Sequence, residues 1–477
     1  MDTKLTTLTI AQAKEMLEKK EISSLDLVRA HIQEIQEKNP SLNAYLEVFV
    51  DSENQAKAAD ARRALGETGA LLGIPLAVKD NILIEGYKVG AASKILEGYT
   101  ATYDATVIKK LKEAGAIFLG RTNMDEFALG GSTENSAYGP TKNPHDERRV
   151  AGGTSGGSAA AVASGMALAA LGSDTGGSVR NPASFCGVVG LKPTYGMVSR
   201  FGLIAAASSF DQIGPLTKTV ADAELLFGVI SGRDVLDSTS VDAALYQKGV
   251  QNKKIGVPRH LLAQGVDKDV LEKFEETLDA LTKQGYELVD IELPSASLAI
   301  AAYYITNFAE VSSNLARFDG VRYGVSLKGD SLLADYAKTR GAGFGAEARR
   351  RIILGTYVLS AGYYDAYYGK ATLARAQLGQ ELHHVLQNVS VVAMPTMPTP
   401  AFVVGDKSDP VSMYTADIFT VMANLTGNPA ISVPCGDVVR DAKQLPVGIQ
   451  FTAAHGDEAA LFRVGKDVEQ TKVSEVQ

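Results

Sequence analysis

The stretch with the greatest chemical potential is Gly152–Pro193, GGTSGGSAAAVASGMALAALGSDTGGSVRNPASFCGVVGLKP. Two loops of glycine, serine and threonine each precede a segment of helical character, and an apolar run joins them. Glycine lets the backbone take positive φ and lets a ligand approach closely. A loop that opens a helix also presents unpaired N–H groups, which favour negative charge. The phosphate-loop pattern fails because no lysine follows Gly157, and the dinucleotide pattern fails because the GxGxxG spacing is missing. Gly153–Gly157 satisfies GxSxG formally. A nucleophile elbow, however, needs a preceding buried strand, which Arg148-Arg149-Val150-Ala151 does not suggest, and a partner histidine.

The histidines are His31, His145, His260, His383, His384 and His455, and none sits in a catalytic-looking setting. His383-His384 reads as the polar side of a helix. A serine nucleophile without histidine needs another base, and lysine is the usual replacement. Lys79 is the candidate, at the end of the apolar run Gly73–Lys79, where burial would lower its pKa and provide a neutral amine. Spacing alone favours a plainer reading, in which Lys79 is solvated or paired with Asp80.

These residues need a rigid frame, and the pattern around them is α/β. Residues 9–64 read as helices, with Thr9 and Ser23 as caps and Ser23 with Asp26 as a capping box. After a turn at Gly66–Gly69, strands are predicted at Leu71–Val78, Ala116–Leu119, Met166–Leu171, Lys254–Val257, Tyr286–Leu293 and Val391–Thr396. Helices are predicted at Asp104–Ala114, Ala159–Gly165, Thr219–Ile230 and Asp267–Lys283. This alternation argues for a sheet covered by helices on both faces. With no repeat or convincing linker, the chain reads as an N-terminal helical segment, 1–65, ahead of one large domain, 66–477.

The bulk numbers set limits. The chain has 477 residues, 45% hydrophobic and 21% charged, with a net charge of −8. An acidic balance with no basic run longer than Arg349-Arg350-Arg351 argues against a chain that grips nucleic acid by itself. Cys186 and Cys435 form no metal-ligand or disulfide pattern, and both read as small buried side chains. No metal site is expected. No apolar run approaches a membrane span and the first residues lack a signal-peptide core, so a cytoplasmic location is expected.

The forty residues around the two loops resemble the amidase signature family. Its fold is a large mixed β-sheet covered by helices on both faces, and its catalytic group is a Ser–cis-Ser–Lys triad. Lys79 in GIPLAVKDN fits the same pattern. The stretches RTNMDEFALGGSTENSAYGPTKNP, LKPTYGMVSRFGLIAAASSFDQIGPLTKTV, SSNLARFDGVRYG, RRIILGTYVLSAGYYDAYY and GNPAISVPCG resemble, more narrowly, the A-subunit branch of the aspartyl/glutamyl-tRNA amidotransferases. The resemblance runs from about residue 5 to about residue 465.

That resemblance implies roles. Ser178 would be the nucleophile, with Lys79 the base acting through the hydroxyl of Thr154. The N–H groups of Thr175, Gly176, Gly177 and Ser178 would form the oxyanion hole. Arg351 and Asp417 would bind the α-carboxylate and α-amino group of glutamine; without the resemblance they would read as a surface charge and a helix-start cap. Ammonia released from glutamine would pass to a B subunit, which holds misacylated tRNA and uses ATP and Mg, with a small C subunit completing the complex. The glutaminase chain itself would bind no cofactor. Three positions depart from the family: Thr154 replaces serine, Asn181 replaces glutamine and Ala151 replaces proline. A stand-alone amidase acting on a free carboxamide, or a catalytically weak scaffold motivated by Thr154, are the competing readings.

Overall fold

The structure is a computed structural model that describes residues 4–246, 249–262, 265–407 and 409–474. Two helices open it, Ile10–Glu18 and Ser24–Leu42, and both are fixed by their caps. Thr9 accepts from Gln12 N–H and Ser23 from Asp26 N–H, each in a reciprocal capping box. The second helix ends where Asn43 turns to φ 53°.

The next residues correct the all-helical reading of 9–64. Tyr45–Val48 is a strand, β1, followed by the helix Ser52–Ala64. Tyr45 is buried and its hydroxyl donates to the Met166 carbonyl at 3.0 Å. That tertiary anchor has no local signature. The strands that follow are β2 (Pro75–Lys79), β3 (Ile117–Thr122), β4 (Lys142–Asn143), β5 (Asp146–Val150), β6 (Ala169–Asp174), β7 (Val189–Lys192), β8 (Gln212–Thr217), β9 (Lys254–Val257), β10 (Glu287–Asp290), β11 (Val391–Pro395), β12 (Ala430–Arg440) and β13 (Lys443–Ala453).

All but β4 and β5 join one sheet in the order β1-β3-β2-β6-β8-β7-β12-β13-β11-β9-β10. The sheet is mixed: β2 runs parallel to β3 and β6, β9 parallel to β10 and β11, and the remaining pairs are antiparallel. The first 65 residues therefore contribute an edge strand to the main sheet. β4 and β5 make a separate two-stranded ribbon, so Arg148–Val150 is a strand, but one outside the main sheet. The predicted strand at 166–171 lies three residues later, at 169–174, because the helix before it covers Gly156–Ala163 and a turn takes up Ser164–Leu168.

Alternation along β2 decides the layers. Leu76 and Val78 pack with Phe118, Leu171 and Ile213 beneath the helices at 10–18, 106–113 and 220–230. Ala77 faces the other way, with Leu119, Ala170 and Leu216, beneath the helices at 24–42, 156–163 and 180–186. Helices thus cover both faces, as expected. By the same period of two, Lys79 shares its side with Ala77, the side on which the glycine-rich loops open their helices. Cys186 is buried but Cys435 is only half-buried, against the expectation for the latter. Among the described residues, no helix is long and apolar enough to cross a membrane.

Candidate active site

Because β2 and β6 are parallel, with Ala77 opposite Ala170 and Val78 opposite Leu171, both strands end at the same edge of the sheet. Lys79 closes β2, and Ser173 and Asp174 close β6. The first glycine loop meets them there. Its helix approaches so closely that a Cβ on Gly157 would lie 2.5 Å from the Ala44 carbonyl oxygen, which is why glycine is needed at that position. The Gly153–Thr154 peptide is cis. The Ser155 N–H donates to the Ser178 carbonyl at 3.1 Å, and that bond ties the two loops together.

Lys79 is fully buried, and its ammonium position is defined by hydroxyls. Nζ lies 2.6 Å from Thr154 Oγ1, 2.8 Å from Ser155 Oγ and 3.0 Å from Ser173 Oγ, with the Ser173 carbonyl at 3.2 Å. Asp80 does not pair with it. That carboxylate binds Arg121 Nη1 at 2.8 Å and accepts the N–H groups of Gly90 and Ala92. Burying an ammonium without a contact counter-ion costs far more than burying the amine. The pKa of Lys79 is accordingly pushed down to about 7 by desolvation, against the more distant pull of Asp125, Asp174 and Asp211. A substantial fraction of neutral amine near pH 7 follows, as general-base chemistry requires.

The second loop is held by an ion pair that sequence reading misses. Asp174 and Arg180 are both fully buried, with Nε–Oδ2 at 3.1 Å and Nη2–Oδ1 at 3.0 Å. Asn424 donates to Asp174 Oδ1 at 2.8 Å, while the Gln450 side chain accepts from Arg180. Arg180 draws the Asp174 carboxyl well below the usual carboxylate range despite burial. The same carboxylate accepts the Gly177 N–H at 2.9 Å and the Val179 N–H at 3.1 Å. The resemblance puts Gly177 among the oxyanion donors, but its amide is committed to shaping the loop. Thr175, Gly176 and Ser178 remain as the candidate donors. Thr175 is fixed through its hydroxyl, which donates to Asp211 Oδ1 at 2.7 Å. Ser178 itself is 6% exposed, whereas Lys79 and Thr154 have no exposure. The nucleophile candidate is therefore the member of the group that a substrate can reach.

Two of the departures have visible consequences. Asn181 accepts the Gly153 N–H at 3.4 Å and donates to the Gly131 carbonyl at 3.2 Å, so it braces both segments beside the cis peptide. Ala151 donates its N–H to the Thr141 carbonyl at 3.3 Å, a bond that proline could not make.

Arg351 and Asp417 come from distant segments but lie on the same tyrosine. Tyr304 donates its hydroxyl to Asp417 Oδ2 at 2.6 Å, and the Arg351 guanidinium sits 5.5 Å from the Tyr304 ring. Arg351 is 3% exposed and points inward, whereas Arg350 is exposed and pairs with Glu347 from outside. Arg351 Nε donates to Glu347 Oε1 at 2.7 Å, and Tyr414 and Phe308 pack on its planar face. Asp417 does not cap a helix; the helix Pro410–Thr415 is capped by Asp409. Burial raises the Asp417 carboxyl to about 7, and a cationic ligand would offset that cost. Tyr303, Tyr304, Asn307 and Glu347 escape the sequence reading. The available signal is polar groups at i, i+1 and i+4 of an otherwise apolar helix, Ala299–Asn314. His31 is buried against the Gly165 carbonyl and His383 and His384 are exposed, so these histidines take no part.

A mixed sheet brings a buried lysine, a hydroxyl on a cis peptide and a serine on a glycine loop to one edge, and the chain belongs to the Amidase family, whose model matches residues 26–462. More particularly, it is 49% identical to the A subunit of glutamyl-tRNA(Gln) amidotransferase from Roseiflexus castenholzii over 97% of this chain and 95% of that protein. The corresponding protein of Prosthecochloris aestuarii is 51% identical, over 96% of this chain and 97% of that protein. Among solved structures, the glutamyl-tRNA(Gln) amidotransferase A subunit of Thermotoga maritima superposes with a TM-score of 0.81 at 42% identity, covering 98% of this chain and 96% of the other.

Proposed function

We propose that this chain is the glutamine-hydrolysing component of a tRNA-dependent amidotransferase. The observation that carries the chemistry is the uncharged-amine setting of Lys79, 2.6 Å from the Thr154 hydroxyl and beside the loop that bears Ser178. The substrate assignment is supported by relatives of that name that match almost the whole chain.

Glutamine lies with its α-ammonium at Asp417, where it favours the ionised carboxylate, and its α-carboxylate at Arg351, its complement in charge and shape. Lys79 accepts a proton from Thr154 as Thr154 accepts that of Ser178, and Ser178 Oγ bonds to the γ-carboxamide carbon. The N–H groups of Thr175, Gly176 and Ser178 stabilise the oxyanion; one such donor is typically worth about 3–4 kcal/mol of barrier. When the tetrahedral adduct collapses, the C–N bond breaks, the proton returns to nitrogen and ammonia leaves. Water then hydrolyses the γ-glutamyl ester by the same relay. Threonine retains the hydroxyl this relay needs. Ammonia goes to a B subunit, which activates misacylated Glu-tRNA(Gln) or Asp-tRNA(Asn) with ATP and Mg, and a C subunit joins the two. The net charge of −8 suits a chain that leaves the tRNA to its partner. The setting is the cytoplasm, where tRNA is charged.

A pull-down from native extract tests this reading. Two co-purifying partner proteins, glutamine-dependent amidation of misacylated tRNA, and its loss on Ser178→Ala are expected. Efficient turnover of simple amides by the unaccompanied chain would favour a stand-alone amidase, and unchanged amidation by Ser178→Ala would favour a scaffold.

A further inference from the structure

One face of the helix Ala299–Asn314 supplies three polar side chains to the site. Tyr303 abuts the oxyanion loop so tightly that a Cβ on Gly176 would lie 2.4 Å from its hydroxyl oxygen. Tyr304 reaches Asp417, as above. One turn further on, Asn307 reaches Arg351: the guanidinium Nη1 donates to Asn307 Oδ1 at 3.0 Å. Asn307 has no exposure, and its Nδ2 has no hydrogen-bond acceptor among the described residues. The amide cannot be turned to relieve this, because a guanidinium has only donors and must face the oxygen.

Burying such a donor without an acceptor is costly, so a buried orphan of this kind calls for a partner. Its surroundings indicate which. The Arg351 Nε is taken by Glu347 and one Nη1 proton by Asn307, and the Nη2 edge has no hydrogen bond among the described residues. Tyr304, Phe308 and Tyr414 cover the ring-like face of the guanidinium. An uncommitted cationic edge beside an uncommitted amide donor suits a ligand that is anionic and has more than one acceptor oxygen.

We infer that Asn307 is a direct ligand of the substrate's α-carboxylate, donating from Nδ2 to one oxygen while Arg351 holds the other. This rests on the proposed glutaminase reading and deepens it by adding a specificity-determining residue. Its consequence is discrimination: a substrate without an α-carboxylate leaves the Asn307 donor unpaired.

The test is steady-state kinetics of the full-length chain in its amidotransferase complex, with glutamine and with 4-aminobutanamide, which is glutamine without its α-carboxylate. Asn307→Asp keeps an acceptor for Arg351 but replaces the donor with negative charge. It is expected to raise the KM for glutamine about 100-fold, with kcat within about threefold and 4-aminobutanamide turnover unchanged; Asn307→Leu is expected to raise that KM about 10-fold. Labelling of Ser178 by a small sulfonyl fluoride, which carries no carboxylate, should proceed at the wild-type rate in both. If Asn307→Asp keeps the wild-type KM for glutamine, Asn307 only positions Arg351 and the inference is overturned. Equal losses with both substrates would overturn it as well. Failure of the wild-type complex to hydrolyse glutamine would instead sink the glutaminase reading, and this inference with it.

Discussion

Burial treats two basic groups of this site, Lys79 and Arg351, in opposite ways. Lys79 has hydroxyls and a carbonyl around its nitrogen, with carboxylates only at a distance, and its pKa falls to about 7. Arg351 is just as buried but has Glu347 at 2.7 Å, and its pKa rises above its ordinary value. The difference teaches that burial alone does not set protonation. A contact carboxylate offsets desolvation, whereas hydroxyls solvate an amine without demanding that it be charged. Lys79 is thereby placed to move protons and Arg351 to hold a fixed charge.

The sharpest way to break this comparison is to remove the groups on the proton-moving side. Ser178→Ala should lower kcat for glutamine hydrolysis by about 10⁶-fold, measured as ammonia release. Lys79→Ala should lower it by about 10⁴-fold and abolish covalent labelling of Ser178 by an electrophilic amide analogue; retained labelling would remove Lys79 as the base. Thr154→Ala should cost about 10²–10³-fold, while Thr154→Ser should match or exceed wild type. Full activity in Thr154→Ala would take that hydroxyl out of the relay. On the fixed-charge side, Arg351→Lys should raise the KM for glutamine about 10–100-fold with kcat nearly unchanged, since it forfeits the planar fork and its stacking. A fall in kcat alone would contradict the division of labour.

The pH profile sharpens the contrast at smaller amplitude. Activity needs neutral Lys79, and the bound α-ammonium keeps Asp417 ionised, so kcat should rise with unit slope up to an inflection near pH 7 and then level off. The stability linkage has a definite sign. Between pH 7 and the ordinary lysine value, the unfolded chain holds a proton that the folded chain lacks, so this group makes folding more favourable as pH rises. Relative to Lys79→Met, wild-type melting temperature should therefore gain steadily from pH 7 to 10. A flat difference would mean that Lys79 stays charged in the folded protein.

How much is legible in the sequence follows the same division. The two glycine loops are contiguous motifs that carry their residue types within a few positions, whereas Lys79 reads from spacing alone as solvated or paired with Asp80 and takes its role only from the family resemblance. The capped helices, β9 and β11 are likewise encoded locally. β1 is not, because Tyr45–Val48 becomes a strand through pairing with β3 and the Tyr45 bond to Met166. The resemblance makes Gly177 an oxyanion donor, but Asp174 occupies its amide. Arg350 and Arg351 cannot be separated by pattern, since only the packing of the helix Ala346–Val358 turns one outward and the other in.

The sequence by itself determined which atoms could react: hydroxyls on glycine-rich turns, an amine at the end of an apolar strand, and no histidine suited to the work. Tertiary structure decided what those atoms are. Parallel pairing of β2 with β6 brings the amine to the hydroxyls, and the pairing of Asp80 with Arg121 denies it a counter-ion. The physical reason is that protonation depends on the dielectric and the charges within a few ångströms, and the groups around the Lys79 nitrogen come from positions 75 to 94 residues further along the chain.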